Sequence, residues 1–283
     1  MDETTTSLKI DAKIPNNKRV PFSFSLEGVP FIVLPESEDS WSLHCEEALL
    51  AAPKRTRGQT KINDIDSFLA FVKDYAGQYT SMYIKADLKN LEFLATAIFN
   101  DNKKNFAQWA DHKALYKPVT STDWDAWISR NKLRTSQEEF ALFLDEHIED
   151  IVGDDHEAPS AATVLEAVTN LYDCRNVTFG SKVSLSNGMT SFEYKEQDGG
   201  SGRLQVPTEF LIGIPVFADG AGYKIRAKLR YKIDRGSGAL CLWYELQRVE
   251  KVFEKAILTQ MEKLNSLSDL MPIYYGSEPI TGY

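Results

Sequence analysis

Two sets of charged residues in this chain could do chemistry. Asp145 and Glu149 stand four residues apart, as do Glu146 and Asp150. On a helix each pair shares a face one turn apart. Paired carboxylates there can hold Mg²⁺ or Ca²⁺ through oxygen, or imitate a phosphate backbone in front of a basic partner. The four belong to a longer run: between Ser136 and Cys174 there are eleven acids and no Lys or Arg. Removing those eleven from a chain of formal charge −9 leaves the remainder at +2. The second set is Lys224, Arg226, Lys228, Arg230 and Lys232, which alternate with Tyr223, Ile225, Ala227, Leu229, Tyr231 and Ile233. Strand side chains alternate between faces, so this spacing predicts a strand with one basic and one apolar face. Five cations in line suit a phosphate backbone or an acidic partner.

Each set also has a plainer reading. Charge runs are usually solvent faces, and Glu138 and Glu139 favour a helix N-terminus through its dipole. The repulsive i,i+4 acid pairs argue mildly for something cationic opposite them. A carboxylate metal site recruits a further ligand, and no motif supplies one, so no metal and no cofactor is assigned. The basic face could be neutralised across strands by Glu193, Glu196 or Glu245. The two sets also complement each other. They could meet within one subunit, or between neighbours in a heterologous contact that closes a ring or shell.

Nothing else marks a reaction. The histidines, His44, His112, His147 and His156, form no metal spacing with one another or with a cysteine. There is no GxSxG, Walker A or HExxH pattern. The glycine-rich loop at 199–202 is not followed by a helical pattern, so it reads as a turn rather than a phosphate cradle. No catalytic residue is assigned, and the reading points away from an enzyme. Trp109, Tyr116, Trp124 and Trp127 precede the acidic run; they could stack bases if exposed, but such residues are mostly core.

The chain has 283 residues, 43% hydrophobic and 26% charged, ordinary for a soluble globular protein. Cys45, Cys174 and Cys241 are odd in number and far apart, which reads as reduced thiols. The N-terminal MDETTTSLKIDAK has no apolar run of signal-peptide length, and no stretch reaches the roughly 20 apolar residues of a membrane span. A pI near 5.1 argues against wholesale coating of nucleic acid and leaves room for a local basic face.

The elements that must position these residues follow from periodicity. Strand–turn–strand is expected over 20–34, a short helix over 40–52, and a helix through Phe68, Leu69, Phe71, Val72 and Tyr75 closed at Gly77. A hairpin joins 81–86 to 93–99 across 87–90, and a strand is expected at 114–116. Thr122 opens a short helix. Thr135-x-x-Glu138 and Ser136-x-x-Glu139 are overlapping capping boxes for a helix that buries Phe140, Phe143, Leu144, Ile148 and Ile151 and stops at Gly153. A second helix spans 160–172. From Val177 the period changes to two, with an Asn187–Gly188 turn and an antiparallel meander to Leu246. An amphipathic helix closes the domain over 249–264. The fold class is therefore α+β: a mixed N-terminal portion, a central helix pair, and a C-terminal antiparallel sheet covered by a helix. Residues 1–18 read as an arm, 19–271 as one domain with a sub-boundary near 118–122, and 272–283 as an irregular tail.

Several of these segments stand in a recognisable order: APKRTRGQTKINDIDSFLAFVKDY, WDAWISRNKLRTSQEEFALFLDEHIEDI, VTFGSKVSLSNG, VPTEFLIGIPVF and YKIRAKLRYKI. In order and spacing they resemble the YfdQ-like family of phage and prophage proteins, from about Leu34 to Gly276. That family is a domain of unknown function. The resemblance implies a phage or prophage product in the cytoplasm of a bacterial host, and no activity or catalytic residue. The expected function is a non-enzymatic accessory protein that assembles with itself or binds a phage or host macromolecule. One alternative is a nucleic-acid-binding accessory using the basic strand. A weaker one is a metal-dependent hydrolase using the acidic helix.

Overall fold

The computed structural model describes residues 22–26, 29–35, 41–45, 47, 50–153, 158–174, 176–185, 188–218 and 220–279. The arm at 1–18 and Asn187 of the expected turn lie outside them. The fold is α+β. The chain divides into two compact units, Met1–Gly58 and Gln59–Tyr283.

The first unit carries an antiparallel three-stranded sheet, β1 (Phe22–Leu26), β2 (Val29–Pro35) and β3 (Trp41–Cys45), in that order. The β1–β2 hairpin matches the expected strand–turn–strand. The helix expected over 40–52 does not form: Trp41–Cys45 pairs along β2 from Pro35↔Trp41 to Phe31↔Cys45. Short apolar patterns fit either period, and here an unpaired strand edge decides.

In the second unit the short strand β4 (Gly58–Ile62) leads to α1 (Ile65–Tyr75), which Asp64 caps by accepting from the Ser67 N–H. Next come β5 (Ser81–Asp87), β6 (Glu92–Ile98) and β7 (His112–Tyr116). Asp87 closes the β5–β6 turn by accepting from the Lys89 and Asn90 N–H groups at 3.1 and 3.0 Å. These bonds hold its carboxyl below the usual carboxylate range, chiefly through Asn90. α2 (Thr122–Ser129) precedes β8 (Thr135–Ser136), α3 (Gln137–Glu146), a 3-10 turn (Ile148–Asp150) and α4 (Ala161–Asp173).

The period-two region holds β9 (Val177–Ser184), β10 (Met189–Glu196), β11 (Ser201–Pro207), β12 (Glu209–Pro215), β13 (Gly222–Ile233) and β14 (Leu240–Leu246). α5 (Val249–Asn265) and β15 (Ile273–Tyr275) end it. The expected single meander is two sheets, β11-β10-β9 and β12-β13-β14-β8. The break falls at Pro207, whose nitrogen has no hydrogen to continue a ladder. After it the Thr208 N–H donates to the Gly188 carbonyl, and the chain re-enters as β12 against β13.

A further sheet runs β15-β5-β6-β7-β4. The tail is thus not wholly irregular: Ile273–Tyr275 pairs in parallel with β5, a non-local partner that a three-residue strand does not advertise. Within the second unit a continuous core joins the layers, centred on fully buried Trp127, Phe68, Phe192, Phe253 and Tyr244.

Candidate functional site

β13 is the strand predicted from its alternation. Ile225, Ala227 and Leu229 are buried, whereas Lys224, Arg226, Lys228, Arg230 and Lys232 are exposed or half-exposed on the other face. Register places Glu209 of β12 and Glu245 of β14 on either side of Lys228. Neither forms its ion pair there. Arg226 pairs with Glu209, and the Arg230 Nε donates to Glu245 at 3.0 Å. Of the neutralising acids expected from sequence, Glu245 serves. Glu193 pairs with Arg203 instead, at 3.3 Å, and Glu209 was not anticipated. Such half-exposed pairs contribute little to stability, and a cationic excess remains along the strand.

α3, which carries Glu138, Glu139, Asp145 and Glu146, packs on the opposite face of the same sheet. Ser136 and Glu139 form the capping box, each side chain bonded to the other's backbone N–H. The helix they open buries Phe140, Phe143 and Leu144. The Phe143 and Phe140 rings lie 6.0 and 6.5 Å from that of Tyr244. Tyr244 sits opposite Leu229, on the apolar side of β13. Trp127 fills the same layer, 4.9 Å from Phe143 and 5.1 Å from Tyr244. The Tyr244 hydroxyl donates to the Trp127 carbonyl at 2.7 Å, and burial pushes its pKa up.

The helix expected to run to Gly153 ends at Glu146. His147 caps it, and Ile148–Asp150 tightens into a 3-10 turn. Stacked carboxylates at the negative end of a helix dipole oppose continuation, and no cation stands in the last turn. Asp150 also turns inward, accepting from the Trp127 Nε1–H at 2.7 Å and facing His147 Nδ1 at 3.3 Å. So Asp145, Glu146, Glu149 and Asp150 do not form two stacked pairs on one α-helical face. Asp145, Glu146 and Glu149 are exposed, while Asp150 is a structural acceptor. The chain then bridges Ile151 to Ile212, and Val152 lies against Gly213, where a Cβ would meet the Val152 Cγ1 at 2.6 Å. Asp154, Asp155, His156 and Glu157 lie outside the described residues. Among those described, no group of three or more His, Cys, Asp and Glu could hold a metal.

The aromatic cluster separates. Tyr116, Trp124 and Trp127 are core, and Trp109 is exposed. Cys174 is buried, Cys45 exposed and Cys241 half-buried, all as free thiols. No helix among the described residues is long and apolar enough to cross a membrane.

Two concavities contrast in charge. The larger, about 800 Å³, opens on β9–β11, where Arg203 and Glu193 neutralise each other. The other, about 620 Å³, lies between β13 and the start of α5 and is lined by Lys224, Arg226, Lys228, Gln247, Arg248, Lys251, Val252 and Lys255. Sequence reading missed its helical wall. The signal was present: Arg248, Lys251 and Lys255 fall at i, i+3 and i+7, one side of a helix. The buried stripe of α5, Phe253, Ala256 and Ile257, lies in the same turns and is the stronger periodic signal.

Residues 3–278 match a family described as "Uncharacterized conserved protein (DUF2303)". The chain belongs to that family. No curated protein matches it. Membership in an uncharacterized family assigns no activity, so function must be argued from the two charged faces and the cleft.

Proposed function

We propose that this family member is a non-catalytic phage accessory protein, acting in the cytoplasm of a bacterial host by assembling with copies of itself and binding macromolecules through its charged faces. The supporting observation is the separation of charge across one sheet. α3 with Asp145 and Glu146 packs on the apolar face of β12–β14, while the β13 cations occupy the other. Groups so divided cannot neutralise each other directly within one subunit. The acidic side of one copy can meet the basic side of the next. That contact is heterologous, so it propagates head to tail and closes only if the rotation per step permits. The phage setting rests on the likeness of the quoted segments to the YfdQ-like family.

Light scattering across a salt series tests assembly. The expected mass is a multiple of 32.0 kDa at low salt, falling as salt screens the contact. Asp145→Lys/Glu146→Lys is expected to remain monomeric. A strict monomer of the unmodified chain at low salt and micromolar concentration overturns the proposal.

A further inference from the structure

The geometry points to a second activity that does not depend on assembly: we propose that the cleft between β13 and α5 binds the phosphates of single-stranded nucleic acid. Its two walls come from two different periods. Lys224, Arg226 and Lys228 project from one face of a strand, and Arg248, Lys251 and Lys255 from one side of a helix. Six cations therefore converge on one groove in a chain of net charge −9, and no acid lines it.

The acids at its rim position rather than cancel. Glu209 holds Arg226, and Glu254 takes Lys251 at 2.9 Å from the helix surface. The lining itself holds six cations and no acid. The N-terminus of α5 adjoins it and adds partial positive charge. Arg248 is the N-cap residue, with φ 56°, a left-handed conformation that non-glycine residues rarely take, and its side chain makes no capping bond. Arg248 is part of the groove lining.

Shape and composition narrow the ligand. A volume of about 620 Å³ admits a single chain of phosphates or a small polyphosphate. A duplex could only lie across its mouth. The lining has one apolar residue, Val252, and no aromatic ring. Bases would find nothing to stack on, so the grip is electrostatic and indifferent to base sequence.

Anisotropy of a fluorescent oligothymidine tests the site. The intact protein is expected to bind at low salt, with affinity falling steeply as salt rises. Lys251→Glu/Lys255→Glu reverses two exposed helix positions without touching the core. It should weaken binding at least roughly tenfold and lower the log–log salt slope by about 1.4, two contacts at about 0.7 each for a single strand. Lys73→Glu/Lys89→Glu makes the same charge change at exposed positions outside the groove and should shift affinity less than about twofold if the site is local. Binding should persist in Asp145→Lys/Glu146→Lys, which separates this inference from the assembly proposal. No binding at low salt, or equal loss in the Lys251/Lys255 and Lys73/Lys89 variants, overturns it. Displacement by a nucleoside triphosphate as readily as by unlabelled oligonucleotide overturns the assignment to a strand and leaves free polyphosphate as the ligand.

Discussion

The two faces of the β12-β13-β14-β8 sheet carry similar side-chain bulk to opposite ends. On one face, Phe140 and Phe143 of α3, Trp127 of α2, and Tyr244 pack ring against ring and are buried. On the other, Arg226 and Arg230 reach their acids across half-exposed ground. Apolar contact in a close-packed layer stabilises in proportion to the area it removes from water, whereas exposed ion pairs lose most of their Coulomb gain to solvent. The first face holds the fold together. The second is nearly free of that duty, and charge placed there can serve binding.

The largest expected difference tests this division directly. Phe143→Ala empties a position between Trp127 and Tyr244 and should cost about 3–5 kcal/mol in urea unfolding. Arg226→Ala should cost no more than about 1 kcal/mol. Equal losses would break the comparison.

A second contrast lies within the acidic segment. Asp150→Ala strands the Trp127 indole N–H and should cost about 1–3 kcal/mol. Glu149→Ala, on an exposed side chain, should stay within about 0.5 kcal/mol. A third test concerns the start of α3. Ser136→Ala removes half of the capping box and should cost about 1 kcal/mol by thermal or chemical unfolding. A change indistinguishable from zero would mean that packing of Phe140 and Phe143 alone sets where α3 begins.

Much of this division was legible in the residues. The alternation from Tyr223 to Ile233 places each side chain of β13 on its face, because a strand has period two whatever surrounds it. Ser136 and Glu139 mark a helix start through bonds three residues apart, and the β5–β6 turn is likewise local, closed by Asp87. The misses share a physical cause. The length of α3 depends on Trp127 drawing in Asp150, which stands 23 residues further along the chain. The split of the meander depends on which sheet accepts the chain after Pro207. The strands at Trp41–Cys45 and Ile273–Tyr275 exist because an edge was available to pair with them.

The sequence by itself therefore determined that the chain would be α+β, that one strand would carry five cations on a single face, and that acids would gather after a capped helix. These are local properties, written in spacings of two to four residues. Only the tertiary structure decided that the acids and the strand cations fall on opposite faces of one sheet, and that Arg248, Lys251 and Lys255 join three of those cations around one groove. Such meetings depend on which apolar stripe each element buries and against what, and no local spacing encodes that choice.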